Sequence, residues 1–455
     1  MKLSCLIYAL LLTGPLFGQC RQGVDLSYVN AIEANGGIYY APDGTPVDPY
    51  RYFAGRGAEL ARIRLWHTPE NLTDACGAPI TSGGRADVLL AARRVDSSGM
   101  GLNLAIHYSD YFADPGKQPR PRAWAGLGGQ ILLDSIYAYT YATLVALHRQ
   151  GTVPVIVAIG NETDNGFVDA GERTDGFDWA VDGPKFNAGL RAVRAFNAAT
   201  GSTIRSALHL TERYARYGAA ALVAADVTNY DVLGLSFYPN FSPDTDLDAV
   251  GDLVEHLTAT YGKEVMIFET GFSWNNATGA DDYTNFLGDN GNTVAYPASP
   301  EGQRDFLLDL DRTVCAAGGT AVFYWEPAWI SSGLCDAWGR GSSYENASWF
   351  DYRGRALPAF EVLGGGTTGV AAEAEAAELR VFPNPQAGPE LHVESSVAIR
   401  RWRLLDIRGR VRASGERGAG GRDFTVRTGT AVRGVYLLEV ETERGDRMTR
   451  RVVVP

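Results

Sequence analysis

The chain has 455 residues, 45% hydrophobic and 21% charged, with 22 Tyr, 18 Phe and 9 Trp, a make-up that supplies a large core and excludes a disordered chain. A formal charge of −12 argues against nucleic acid and anionic lipid as partners, since neither would be attracted on average, so an uncharged substrate fits better. The length suits one α/β barrel of about 250 residues or more with an addition.

Met1-Lys2-Leu3, an apolar stretch and small residues up to Gly18 read as a secretory signal peptide, residues 1–19, cut near Gly18 or Gln19. A lipid anchor on Cys20 is the weaker reading, because Gln19 is bulkier than the residue that precedes such a cysteine. Once Cys5 leaves with the signal, Cys20, Cys76, Cys315 and Cys335 enter an oxidising compartment. Cys315 and Cys335 flank one strand-like run and could pair. The chain carries no CxxC or Cys/His ligand cluster that would argue for zinc, and no later segment is apolar enough to span a bilayer as a helix.

Strand-like runs follow at residues 23–30, 60–67, 102–109, 154–162, 204–210, 232–238, 264–270 and 320–326. Helical periodicity fills most gaps, at 85–97, 132–150, 184–200, 249–261 and 300–317, the last opened by the N-cap signal Ser299-Pro300-Glu301. The alternation predicts a (β/α)8 TIM barrel over residues 20–363. An open doubly wound sheet is the alternative, but its glycine fingerprint is missing after the first strand. Residues 364–378, rich in Gly and then in Ala and Glu, read as a flexible linker. Beyond it, β-rich runs at 399–406, 423–427 and 435–441 predict a small all-β sandwich domain over residues 379–455.

Two strand-like runs end in glutamates, Gly160-Asn161-Glu162 and Phe268-Glu269-Thr270-Gly271. A single Glu after a strand usually only begins a loop. Two, about three βα units apart, suit the acid and nucleophile of glycoside hydrolysis, with Glu162 donating a proton and Glu269 attacking. Other strand ends supply candidates for substrate contact. Asn161 is placed to bond a sugar hydroxyl, although Asn at such a place also forms turns. Arg62, Arg64 and Trp66 alternate onto one face, and Arg64 is expected either to hold the nucleophile ionised or to form a structural ion pair. His107 and Asp110 end the third run, Tyr238 ends the sixth and could donate to the nucleophile, and Trp325 and Trp329 close the eighth. Trp124 lies in the long loop after the third run. Indole faces there suit sugar stacking, and as many such residues are packing anchors.

The strings Gly23-Val24-Asp25-Leu26-Ser27, Arg64-Leu65-Trp66, His107-Tyr108-Ser109-Asp110, Gly160-Asn161-Glu162, Leu235-Ser236-Phe237-Tyr238-Pro239 and Tyr324-Trp325-Glu326-Pro327-Ala328-Trp329 resemble, in order, those of glycoside hydrolase family 53, the arabinogalactan endo-β-1,4-galactanases. The resemblance implies a retaining enzyme that cuts within β-1,4-galactan side chains of pectin, with Glu162 as acid/base and Glu269 as nucleophile. It makes Asp25, His107, Trp124, Tyr238 and Trp325 substrate-contact candidates. No cofactor is expected. Some bacterial relatives hold calcium in a late loop, where this chain offers Asp281, Asp282, Asp289, Asn290 and Asn292 without clear ligand spacing. The chain end, with Val381-Phe382-Pro383-Asn384-Pro385 and a basic terminal strand, is similar to type IX secretion sorting domains, which implies a secreted or cell-surface protein and that secretion machinery as a partner. A monomer is expected. Another β-linked glycan, mannan or glucan, and a non-catalytic glycan-binding surface protein remain the alternative readings.

Overall fold

Runs rich in Val, Ile, Leu and Phe, too apolar on both faces to leave one in water, become the inner cylinder of the fold. The structure is a computed structural model. It describes residues 20–364 apart from 172–176, 243–245, 277–284, 286, 289–294 and 337, and residues 379–454 apart from 383, 385–389, 396, 407–409, 417–420, 428–432 and 443–446. The signal peptide, linker residues 365–378 and the five calcium candidates lie outside the described residues. Two compact units divide near residue 367.

In the first unit eight parallel strands close a barrel in chain order: β1 (Arg21–Asp25), β2 (Leu60–Leu65), β3 (Gly101–Ile106), β4 (Ile156–Ile159), β5 (Arg205–Thr211), β6 (Val232–Phe237), β7 (Glu264–Thr270) and β8 (Ala321–Tyr324). This is the expected TIM barrel. Its interior is packed by Leu60, Ala105, Ile156, Ala158, Ala207, Val232, Met266, Phe268, Ala321 and Phe323. The two Phe rings fit because β1 and β6 present glycines to them: a Cβ on Gly23 would lie 2.3 Å from the Phe323 ring, and one on Gly234 2.1 Å from that of Phe268. Burying each ring stabilises the fold by roughly 1.5–3 kcal/mol. Above this apolar layer the inward positions turn polar, which seats a reactive floor on a rigid plug.

Helices α1 (Val29–Ala34), α2 (Pro49–Arg56), α3 (Arg85–Ser98), α4 (Gly129–Arg149), α5 (Trp179–Thr200), α6 (Glu212–Ala224), α7 (Leu247–Tyr261) and α8 (Pro300–Ala316) accompany the strands. The cap signal at Ser299 is used, its hydroxyl accepting from the Gly302 amide at 3.0 Å. Several elements depart from expectation. The first strand stops at Asp25, not at residue 30, because the Asp25 carboxylate accepts from the Ser27 amide at 3.0 Å and turns the chain into α1. Helix α5 starts at Trp179, capped by Asp178, and carries Pro184 inside it. Helices α2 and α6 were not expected; α6 is short and follows β5 directly at Thr211.

Disulfides join Cys20 to Cys315 and Cys76 to Cys335. The Cys315–Cys335 pairing is replaced because β8 runs between the two: Cys315 precedes its entry and Cys335 follows its exit, at opposite ends of the barrel. Among the described residues no helix is long and apolar enough to cross a membrane.

Among its described residues the second unit has seven strands, more than the three runs predicted: β9 (Leu379–Phe382), β10 (Glu390–Ser395), β11 (Ile399–Asp406), β12 (Val411–Glu416), β13 (Asp423–Arg427), β14 (Gly434–Thr442) and β15 (Arg447–Val454). They form a three-stranded sheet, β9-β10-β13, and a four-stranded sheet, β12-β11-β14-β15. Alternating Leu391, Val393, Phe424 and Val426 from the first share one apolar core with Ile399, Leu404, Leu438, Val440 and Val452 from the second.

Candidate active site

Period-two alternation cannot send both Phe268 and Glu269 into the barrel, yet both face inward. The pairing of β6 with β7 resolves this: Leu235 pairs with Ile267 but Ser236 with Glu269, so the register slips by one residue at Phe268. This bulge turns the Glu269 carboxylate over the barrel mouth. Arg62 Nη2 lies 2.8 Å from Glu269 Oε1, and the Tyr238 hydroxyl donates to Oε2 at 3.0 Å. Burial pushes the Glu269 carboxyl up from its ordinary range, and the Arg62 guanidinium and Tyr238 hydroxyl pull it back. Arg62 is itself fully buried and gains a second carboxylate, Asp25, at 2.7 Å.

Glu162 follows β4 with a left-handed backbone, φ 45°, a conformation that costs of order 1–3 kcal/mol in a non-glycine residue. Neighbours hold it there. The Gln118 amide donates to the carbonyls of Asn161 at 2.8 Å and Glu162 at 3.1 Å, while the Thr163 amide donates to the His209 carbonyl at 2.9 Å. Burial and then the charge of Glu269 push the Glu162 carboxyl well above its ordinary value, with Asp164 and Asp114 adding to the effect. The two carboxyls therefore differ in surroundings: Glu162 is pushed up by burial and by the charge of Glu269, whereas the upward push of burial on Glu269 is opposed by a guanidinium.

Both carboxyls line one cleft of about 730 Å³, together with His107, Asn161, Ser236, Tyr238, Trp325 and Trp338. Asn161 accepts from Arg62 Nη2 at 2.7 Å and donates to the Ala113 carbonyl at 2.9 Å, which fixes its amide orientation. Buried His107 accepts from the Ala113 amide through Nδ1 at 3.2 Å, so its Nε2 carries the hydrogen and is available as a donor to a hydroxyl in the cleft. Burial and the nearby arginines keep His107 neutral.

Other expected residues stand behind the walls. Arg64 does not pair with Glu269: it pairs with Glu326 and lies under the Tyr28 ring, 4.0 Å from its centroid, because one residue pair along β2 separates it from Arg62. Asp25 is buried beneath Arg62. Asp110 does not line the cleft; its carboxylate accepts from the amides of Thr68 at 3.1 Å and Arg122 at 2.9 Å and so ties two loops. Trp66 and Trp329 are fully buried, packed in turn on Tyr111 and Tyr28, and Trp124 packs on His67 at 4.8 Å. In their place the cleft wall holds Phe112 and Trp338, rings 5.2 Å apart, with Phe241 and Tyr344. Trp338 is 39% exposed and belongs to the loop that the Cys76–Cys335 bridge tethers. Alternation along β5 and β6 could have found two further inward residues, His209 and Ser236.

Residues 21–363 match the family model for glycosyl hydrolase family 53. An arabinogalactan endo-β-1,4-galactanase of Cellvibrio japonicus is 39% identical over 344 residues, 74% of this chain and 89% of the relative. An endo-β-1,4-galactanase of Bacillus subtilis is 33% identical over 380 residues, 75% of this chain and 85% of the relative. The solved family 53 catalytic domain of Ignisphaera aggregans superposes with a TM-score of 0.68 at 30% identity, covering 77% of this chain and 97% of that one. With its barrel, its paired glutamates and these relatives, the chain belongs to glycosyl hydrolase family 53.

Proposed function

We propose that the protein is a secreted, retaining endo-β-1,4-galactanase acting on galactan side chains of pectin. The observation that carries this reading is the unequal pair in one cleft, a proton-holding Glu162 and an arginine-braced Glu269, in a chain whose relatives are named galactanases. Glu269 attacks the anomeric carbon while Glu162 gives its proton to the departing glycosidic oxygen. Glu162, now a carboxylate, then takes a proton from water, and that water releases the sugar from Glu269 with retained configuration. His107 and Asn161 orient the hydroxyls of the sugar being cut, and Trp325 and Trp338 offer ring faces to its neighbours. The open cleft suits attack within a chain.

The signal-like start and the sandwich at the chain end support secretion with the sandwich as a type IX sorting domain, and a monomeric catalytic unit. The sulfur of Cys20 is committed to Cys315, which disfavours a lipid anchor there. Reducing ends released from galactan, mannan and cellulose test the substrate. Proton NMR of the first product tests retention, the β-anomer being expected before mutarotation. Release from mannan or cellulose alone would transfer the reading to another β-glycan, and no release from any would leave a binding protein.

A further inference from the structure

The hydrogen bonds behind Glu162 have a direction that heavy-atom positions determine. Asn161 donates through Nδ2 to the Ala113 carbonyl, so the oxygen facing buried His209 Nδ1 at 3.1 Å is Oδ1, which can only accept. His209 Nδ1 therefore carries the hydrogen. Burial and the Arg62 guanidinium keep this ring neutral, which leaves Nε2 as a bare acceptor. At 2.9 Å from Nε2 stands the Ser236 hydroxyl, and its one hydrogen must point there. The same hydroxyl is within hydrogen-bond reach of the Glu162 carboxyl, where a donated hydrogen would lower that carboxyl's pKa; the hydrogen is instead committed to His209. Its hydrogen already used, Ser236 has lone pairs to offer Glu162.

We propose that Ser236 and His209 form a one-way hydrogen-bond chain that presents an acceptor to Glu162, so that the resting site selects the protonated form of this carboxyl. The inference rests on Glu162 being the acid/base of the proposed function. An ionised Glu162 would meet lone pair with lone pair unless Ser236 turned its hydrogen away, leaving Nε2 of His209 buried without a partner. Once Glu162 has passed its proton to the glycosidic oxygen, that turn does occur, and uptake of a proton from water restores the resting arrangement. Ser236 and His209 are thus positioning residues.

The groups around the chain are few. Facing His209 are Arg62 from β2, His107 from β3, Asn161 after β4 and the Phe268 ring from β7 at 5.4 Å. Facing Glu162 are Glu269 from β7, Asp114 after β3 and Asp164 of its own loop. The hydrogen bond of the Ser236 hydroxyl is to His209, so the direction of the chain is set by Asn161 and His209.

The sign of one pH shift decides the matter. In kcat/KM on galactan the basic limb reports loss of the Glu162 proton. Ser236→Ala removes the acceptor, and the limb is expected to move down by about one pH unit, while Ser236→Thr keeps the hydroxyl and leaves the limb in place. A limb that rises in Ser236→Ala, as it would had the hydroxyl donated to the carboxylate, overturns the proposal, and so does an unmoved limb. Nitrogen NMR of the full chain reads the tautomer without any active-site change, His209 being assigned by its loss in His209→Gln. A proton on Nδ1 is expected, and one on Nε2 refutes the chain. Glu162→Gln measured in parallel separates the two failures: activity retained there removes the acid/base role itself, whereas activity lost there with a null Ser236 result removes the relay and leaves the role.

Discussion

The exits of β4 and β7 carry the same residue type at the same cleft and surround it oppositely. At β7 a bulge presents Glu269 to a guanidinium and a phenol that both favour its charged form. At β4 a left-handed turn presents Glu162 to buried surroundings and to other carboxyls, with no cation among the causes of its shift. A cation on one side and none on the other gives two chemically identical acids the unequal surroundings that the proposed nucleophile and proton donor require. What differs is supplied by neighbouring strands, not by the two glutamates.

The comparison is broken most completely by Glu269→Gln, which keeps the shape and removes the charge. Its kcat/KM on galactan is expected to fall on the order of 10,000-fold, with bound oligosaccharide retained in calorimetry. Glu162→Gln is expected to lose roughly 100- to 10,000-fold on galactan but far less on an aryl galactoside whose leaving group needs no proton, a contrast visible in steady-state rates. Equal losses on both substrates would contradict the division of labour.

Arg62→Met tests the brace. It leaves Asp25 and Glu269 buried without their cation, so a loss of about 3–5 kcal/mol is expected in denaturant unfolding. With the cation gone, Glu269 holds its proton to higher pH, so the acidic limb of kcat/KM moves upward. Tyr238→Phe removes one hydrogen bond to the same carboxylate. A fall of about tenfold and a smaller upward move of that limb are expected from the same assay. The smallest effect belongs to Trp338→Ala on the cleft rim, a few-fold rise in KM with kcat near wild type, in line with about 0.5–1.5 kcal/mol for one ring face.

Much of this was legible in the sequence, for reasons of periodicity. Alternating apolar runs announce strands and helices, and their order dictates a closed barrel with Glu162 and Glu269 at strand exits on one end. Alternation also placed Arg62 and Arg64 on one inward face. It could not say which of them meets Glu269, because that depends on how far β7 has slipped past β6 at Phe268. Nor could it separate the indoles. Trp66 and Trp329 stand near strand ends like Trp325, yet they and Trp124 of the loop after β3 pack inside the wall, while Trp338, in a loop without periodicity, reaches the cleft.

Local residue order thus determined the fold class, the ends of the strands and the two acids, since side-chain period and chain connectivity act over short distances. Tertiary structure alone decided which arginine braces which carboxylate, which aromatics line the cleft and which cysteines join. Those are pairings between segments tens to hundreds of residues apart, set by register and packing that no local pattern encodes.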